Sequence, residues 1–177
     1  MENKEDKIEE LNNKKQDIKK TIFEYLRVIV ITFVVTFLIL QIIQVSRVYG
    51  TSMVPTYHEG NIVIVDKTFY HTPKYNDIVI VDYKNSADET YIIKRVIGVG
   101  GDHIVIKDNK LYRNDKLVKE NYINEPMSTL NLDVTVDKGD IFVMGDNRNV
   151  SLDSRKLGCF NFSKDVIGKV IFKVPFF

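Results

Sequence analysis

From Val28 to Val45 the chain carries no charged residue, and most of these 18 positions are Val, Ile, Phe or Leu. As an α-helix the run would measure roughly 27 Å, close to the hydrocarbon thickness of a bilayer. Arg27 and Arg47 bracket it, with stems long enough to reach the two interfaces. A core helix of a small domain does not need so long an uncharged stretch, so the run predicts one membrane-spanning helix. It also exceeds the apolar stretch of a cleaved leader. Val45-Ser46-Arg47-Val48-Tyr49 offers no small-x-small cleavage pattern, so the span is expected to remain as an anchor.

Flanking charge sets the expected orientation. Lys14, Lys15, Lys19, Lys20 and Arg27 precede the span, whereas Arg47 is the only basic residue after it before Lys67. The positive-inside rule then places the N-terminus in the cytoplasm and everything beyond Arg47 on the far side of the membrane. The expected organisation is a cytoplasmic polar tail over 1–21, an anchor over 22–46 and an extracytoplasmic domain over 47–177. The tail is rich in Glu, Asp, Lys and Asn, the composition of a solvated segment that assists topology.

Composition narrows the rest. A net charge of +1 argues against a nucleic-acid-binding protein, and 44% hydrophobic residues argue against a disordered chain. The single cysteine, Cys159, excludes an intramolecular disulfide framework and a Cys-rich zinc site. Beyond Arg47 the pattern becomes short β-branched runs: Asn61–Val65, Asp77–Val81, Tyr91–Ile97, His103–Ile106, Lys110–Arg113, Asp115–Val118, Val134–Val136, Ile141–Met144 and Val166–Val174. Asn114 marks a tight hairpin turn. With no amphipathic helix among these runs, the spacing predicts an all-β domain of roughly 130 residues, large enough to bury its own core. Gly98-Val99-Gly100-Gly101-Asp102 sits between two strands, so it reads as a turn and not as a phosphate loop, which would open a helix.

Common catalytic patterns are missing. His58-Glu59 has no second histidine at helical spacing, and His58, His71 and His103 are scattered, so no metal site is expected. No nucleophile elbow occurs, and no serine has a lysine three positions later. Three segments remain. Gly50-Thr51-Ser52-Met53-Val54-Pro55-Thr56 holds a serine between a glycine and a proline turn. In Thr90–Gly98, strand alternation puts Ile92, Lys94 and Val96 on one face and Ile93, Arg95 and Ile97 on the other. A lysine set among β-branched neighbours loses hydration, which lowers its pKa and suits it to act as a base; an edge-strand lysine reaching solvent fits the same pattern. Gly145–Arg155 crowds Asp146, Arg148, Ser151, Asp153, Ser154 and Arg155 behind an apolar strand. Such a loop is either solvated or organised by fixed pairs, for which Arg95 with Asp146 and Asp153 with Arg155 are candidates.

Together these segments resemble bacterial type I signal peptidases, membrane-anchored serine proteases, and in particular their short Gram-positive form with one anchor. The similarity rests on Ser52 to Thr56, Gly60 to Val65, Lys94 to Gly98 followed by Gly101-Asp102, and Gly145 to Arg148 with Ser151, Asp153, Ser154 and Arg155. The resemblance implies an all-β catalytic fold with a small β-rich extension within about 103–136, preceded by one transmembrane helix. It implies Ser52 as nucleophile, Lys94 as general base and Ser151 as the group orienting the Lys94 amine. Asp146, Arg95, Asp153 and Arg155 would support the site through ion pairs. Val48, Gly50, Met53, Tyr57, Ile92 and Ile93 are the expected walls of the substrate site. No cofactor is implied; the implied partners are secretory preproteins, with small residues one and three positions before the cut, and the lipid bilayer.

Two departures accompany the resemblance. Some relatives carry a serine at Gly50 whose hydroxyl helps bind the oxyanion, so here that role falls to the Ser52 N–H and other backbone donors. Asn149-Val150 replaces the more usual Asp-Asn, which bears on the packing of that loop. Alternative readings are a Ser-Lys autoprotease like the SOS-response repressors, a catalytically silent preprotein-binding protein of the same fold, and a peptidase dedicated to one exported substrate. The anchor opposes the first. Retention of both Ser52 and Lys94 opposes the second, because a binder needs neither.

Overall fold

A computed structural model describes residues 4–85 and 88–175, with side chains described outside 4–12 and 84–90. The first three residues of the expected tail and the last two of the expected domain lie outside it. Helix α1 runs from Lys4 to Ile42, so the tail and the apolar span form one continuous helix. Its Asn13–Ile42 stretch is long and apolar enough to cross a membrane. The helix and the β-domain are separate compact units, dividing between Gln41 and Ile42.

The helix stops short of the expected limit at residue 46. Ile43–Arg47 forms strand β1, paired antiparallel with β2 (Ile62–Asp66) from Ile43 opposite Asp66 to Arg47 opposite Ile62. An apolar run cannot itself distinguish helix from strand. Here the β-branched Ile43 and Val45 find a partner strand, and the ladder takes their backbone groups.

The other strands are β3 (Ile78–Asn85), β4 (Asp88–Val99), β5 (His103–Lys107), β6 (Lys110–Arg113), β7 (Lys116–Leu117), β8 (Leu132–Thr135), β9 (Asp140–Met144), β10 (Phe160–Asn161) and β11 (Val166–Lys173). Two single-turn helices, α2 (Ser154–Leu157) and α3 (Phe162–Asp165), flank β10. The strands form two sheets in the order β1-β2-β11-β3-β4-β9-β10 and β7-β6-β5-β8, every pairing antiparallel. The smaller sheet is the β-rich extension, inserted between β4 and β9. Its hairpins turn at Asp108-Asn109 and Asn114-Asp115, whose φ values of 51, 60, 53 and 63° are the left-handed pairs that two-residue hairpin turns require.

Three apolar clusters fill the domain. Val48, Met53, Tyr57, Val63, Val65, Ile78, Ile80 and Val170 form the first, beside the Gly50–Tyr57 turn. A second joins the extension to the large sheet through Ile97, Ile104, Ile106, Leu111, Met127, Val136, Phe142 and Met144. The third gathers Val79, Val81, Val96, Ile141, Val143 and Phe160. Along β4 the alternation is visible in where the apolar members go: Ile93 packs on the first cluster, Ile92 on the third and Ile97 into the second.

Candidate active site

Ser52 sits where β1 ends and the chain turns back toward β2. Gly50 has φ of +75°, a left-handed conformation that costs a side-chain-bearing residue about 1 kcal/mol or more. The turn is closed by Val54 N–H donating to Thr51 O (3.2 Å) and Tyr57 N–H to Met53 O (2.9 Å). Met53, 1% exposed, anchors it in the first cluster. From the opposite side Asn147 N–H donates to Ser52 O at 3.0 Å, and Asn147 Nδ2 to Thr51 O at 3.2 Å. The backbone carrying the hydroxyl is therefore held from both ends.

Lys94 reaches this serine from β4. Its Nζ donates to Ser52 Oγ at 2.9 Å and to Ile93 O at 2.9 Å. The residue is only 3% exposed. Burial penalises the ammonium and pushes its pKa from 10.5 down to about 8, against the nearby Asp153 and Asp146 carboxylates, which oppose the shift. A lysine in this state has an appreciable neutral fraction near neutral pH, and a neutral amine 2.9 Å from a hydroxyl can accept its proton.

The surrounding charges are paired. Arg95 grips Asp146 in a bidentate pair, Nε to Oδ1 at 2.7 Å and Nη2 to Oδ2 at 2.6 Å, and Thr56 Oγ1 also donates to Asp146 Oδ2. Arg155 holds Asp153 through Nε to Oδ1 and Nη2 to Oδ2, both 2.8 Å, while Gly145 N–H donates to Asp153 Oδ2 at 2.9 Å. Burial alone would raise the Asp153 pKa, but the Arg155 pairing and the Gly145 N–H outweigh it, and the net shift is downward. Ser151 Oγ does not reach the lysine amine. It is buried near Asp153, close enough to help keep that carboxylate ionised, yet it has no partner in hydrogen-bond geometry. The second acceptor for the amine is instead the Ile93 carbonyl. Gly145 is essential to this packing, because a Cβ there would overlap Ser151 Oγ and Ser52 O.

A cavity of about 540 Å³ opens beside Ser52 and Lys94. Val48, Ile92 and Ile93 line it, together with Gln44, Ser46, Arg47, Tyr49, Val63, Ile80 and Tyr91. Met53 and Tyr57 do not; they are core residues beneath the serine turn. Gly50 also lies outside the lining, on the exposed side of the turn.

Comparison with known proteins decides the family. The family model described as signal peptidase, peptidase S26, matches residues 22–175. The chain belongs to this family. It is 37% identical over 150 residues to signal peptidase I of Bacillus licheniformis, covering 77% of this chain and 80% of that protein. With signal peptidase I P of Bacillus subtilis subsp. natto it shares 34% over 168 residues, covering 88% and 90%. A crystal structure of a signal peptidase I from Enterococcus faecalis is 28% identical, covering 57% of this chain and 98% of that one, with a TM-score of 0.49.

Within this signal peptidase family member, Tyr122 and Glu120, which sequence reasoning did not single out, join the site, and Thr56 and Asn149 gain partners there. Thr56 bonds Asp146. Tyr122 lies between two guanidinium groups, 4.0 Å from Arg95 and 5.7 Å from Arg148. Glu120 pairs with the buried Arg148 at 2.5 Å and accepts from Tyr122 OH at 3.2 Å. Asn149, the residue at the departure noted above, accepts from Ser128 N–H (2.7 Å) and donates to Glu125 Oε1 (2.9 Å), pinning the loop to the extension. Thr56 carried a sequence signal through the Ser52–Thr56 segment, and Arg148 and Asn149 through and beside the Gly-Asp-Asn-Arg box; Glu120 and Tyr122 lie in a segment with no periodicity. Among the described residues no group of three or more His, Cys, Asp or Glu is arranged to hold a metal ion.

Proposed function

We propose that this protein is a membrane-anchored serine endopeptidase that removes signal peptides from secretory preproteins through a Ser52–Lys94 dyad. One observation carries the reading: a buried lysine with its pKa held near 8 places Nζ 2.9 Å from the Ser52 hydroxyl. The family supports the peptidase activity, and the names of the relatives support the substrate class. Neutral Lys94 takes the Ser52 proton as Oγ attacks the scissile carbonyl. The resulting lysine ammonium gives that proton to the leaving amine, which departs as the new N-terminus of the mature protein. Water, deprotonated by the same amine, then hydrolyses the acyl-enzyme ester and frees the signal peptide. The Ser52 N–H serves as an oxyanion donor. Arg95, Asp146, Asp153 and Arg155 are positioning residues that fix the walls around the amine, and Ser151 packs beside them. The α1 helix, with its N-terminus cytoplasmic, would confine the domain to the outer membrane surface, where substrates are also tethered.

Incubating the full chain in detergent with a secretory preprotein, and reading the new N-terminus by mass spectrometry, tests this. Wild type is expected to cut at one position. Ser52→Ala and Lys94→Met, folded by circular dichroism, are expected to be inactive. Cleavage that survives both substitutions would refute the dyad, and a folded wild type that cuts no preprotein would refute the function.

A further inference from the structure

Strand β1 wears its amphipathic pattern inside out. In register, Gln44 lies opposite Val65 and Ser46 opposite Val63, so the two polar residues share a face with core residues at most 1% exposed. Val45, between them, points the other way and is 65% exposed. Half-burying an amide and a hydroxyl on an apolar face is unfavourable unless they find partners. Among the described residues they find only each other, through Gln44 Nε2 donating to Ser46 Oγ at 3.2 Å. That leaves the Gln44 carbonyl oxygen, its second N–H and the Ser46 O–H to be used. Both residues line the same cavity as Ser52 and Lys94.

We infer that Gln44 and Ser46 form an outer polar subsite that takes a neutral hydrogen-bonding side chain of the substrate, such as Asn, Gln, Ser or Thr, about five residues before the cut. The inference rests on the peptidase reading above. An extended peptide with its scissile carbonyl at Ser52 runs upstream along the cavity, and its alternate side chains stand roughly 7 Å apart. That repeat matches the two-residue spacing of Val48, Ser46 and Gln44 along β1. Of these three, Val48 is nearest to Ser52 along the chain, so side chains farther upstream on the same side of the peptide meet Ser46 and then Gln44.

The test uses the full chain in detergent and two versions of one preprotein, differing only in Asn or Leu at the fifth residue before the cut. Wild type is expected to favour Asn about fivefold in kcat/KM, mostly through KM, the size of one net hydrogen bond. Gln44→Leu with Ser46→Val is expected to abolish or reverse the preference, and Val45→Thr, on the opposite face, to keep it. If the double variant does not fold, Ser46→Ala alone is expected to weaken the preference. Equal cleavage of both preproteins by wild type, or loss of the preference in Val45→Thr, would overturn the subsite while leaving the peptidase intact. Failure to cut either preprotein would instead overturn the proposed function, and the subsite with it.

Discussion

Replacing Lys94 by Met is expected to make the protein more stable. A lysine moved from its ordinary 10.5 to about 8 carries a penalty of roughly 3 kcal/mol when protonated, at ~1.4 kcal/mol per tenfold change. The folded pKa lies below the unfolded one. Between about pH 8 and 10.5 the unfolded chain therefore holds a proton that the folded chain has released, and stability rises with pH through that window. Below about pH 8 both states are protonated and the full penalty applies. Methionine fills a similar volume without charge. It forfeits the hydrogen bonds to Ser52 and Ile93, which we set at about 1 kcal/mol together. The net gain is then about 2 kcal/mol near pH 6.5 and close to zero near pH 9.5, where most of the penalty has already been relieved in the wild type. Denaturant unfolding of the detergent-solubilised full chain, followed by tyrosine near-ultraviolet circular dichroism, measures the difference at both pH values. A Lys94→Met protein no more stable than wild type near pH 6.5, or one whose advantage does not shrink by pH 9.5, would refute the idea that burial of the ammonium sets the pKa.

Four further outcomes follow from the same geometry. Preprotein cleavage measured as kcat/KM should rise with pH through an apparent pKa of about 8, because the protonated amine is inactive. Asp153→Asn, which removes a carboxylate that favours the ammonium, should move that midpoint to lower pH. Gly145→Ala should lower cleavage by ~100-fold or more and stability by about 1–3 kcal/mol, since its methyl must displace Ser151 or the Ser52 carbonyl; both are read by the cleavage and unfolding assays. Asp146→Asn should cost about 3 kcal/mol in the unfolding assay, because it leaves the buried Arg95 guanidinium without its anion.

The β-domain was legible where strand chemistry is local. β-branched alternation marks β2, β3, β4, β5 and β9 because each needs only its own residues to declare a buried face. The turn at Asn114 declares itself through side-chain tolerance of positive φ. The end of the long apolar helix was not legible, since Ile43–Arg47 continues an apolar run and becomes a strand only because β2, about twenty residues later, offers it a ladder. For the same reason the inward turn of Gln44 and Ser46 could not be read: which way a strand faces depends on its register with a partner. Short β10 and the clasp of Tyr122 between Arg95 and Arg148 depend on tertiary placement alone.

Electrostatics explains why so many paired charges surround the Lys94 amine. Burial lowers the Lys94 pKa, as the proposed base role requires, yet each nearby carboxylate pulls it back up. The carboxylates cannot simply be dispensed with, because they hold together the loop that fixes Ser52: Asp153 binds the Gly145 N–H, and two residues on Asn147 binds the Ser52 carbonyl. Each carboxylate is therefore matched by an arginine, Asp146 by Arg95 and Asp153 by Arg155, in pairs that leave little net negative charge to reach the amine. Tyr122 seals one of these pairs by lying across the Arg95 guanidinium at 4.0 Å. On this view the arginines keep structural anions from acting as counter-ions to the lysine, and burial is left to determine its proton affinity.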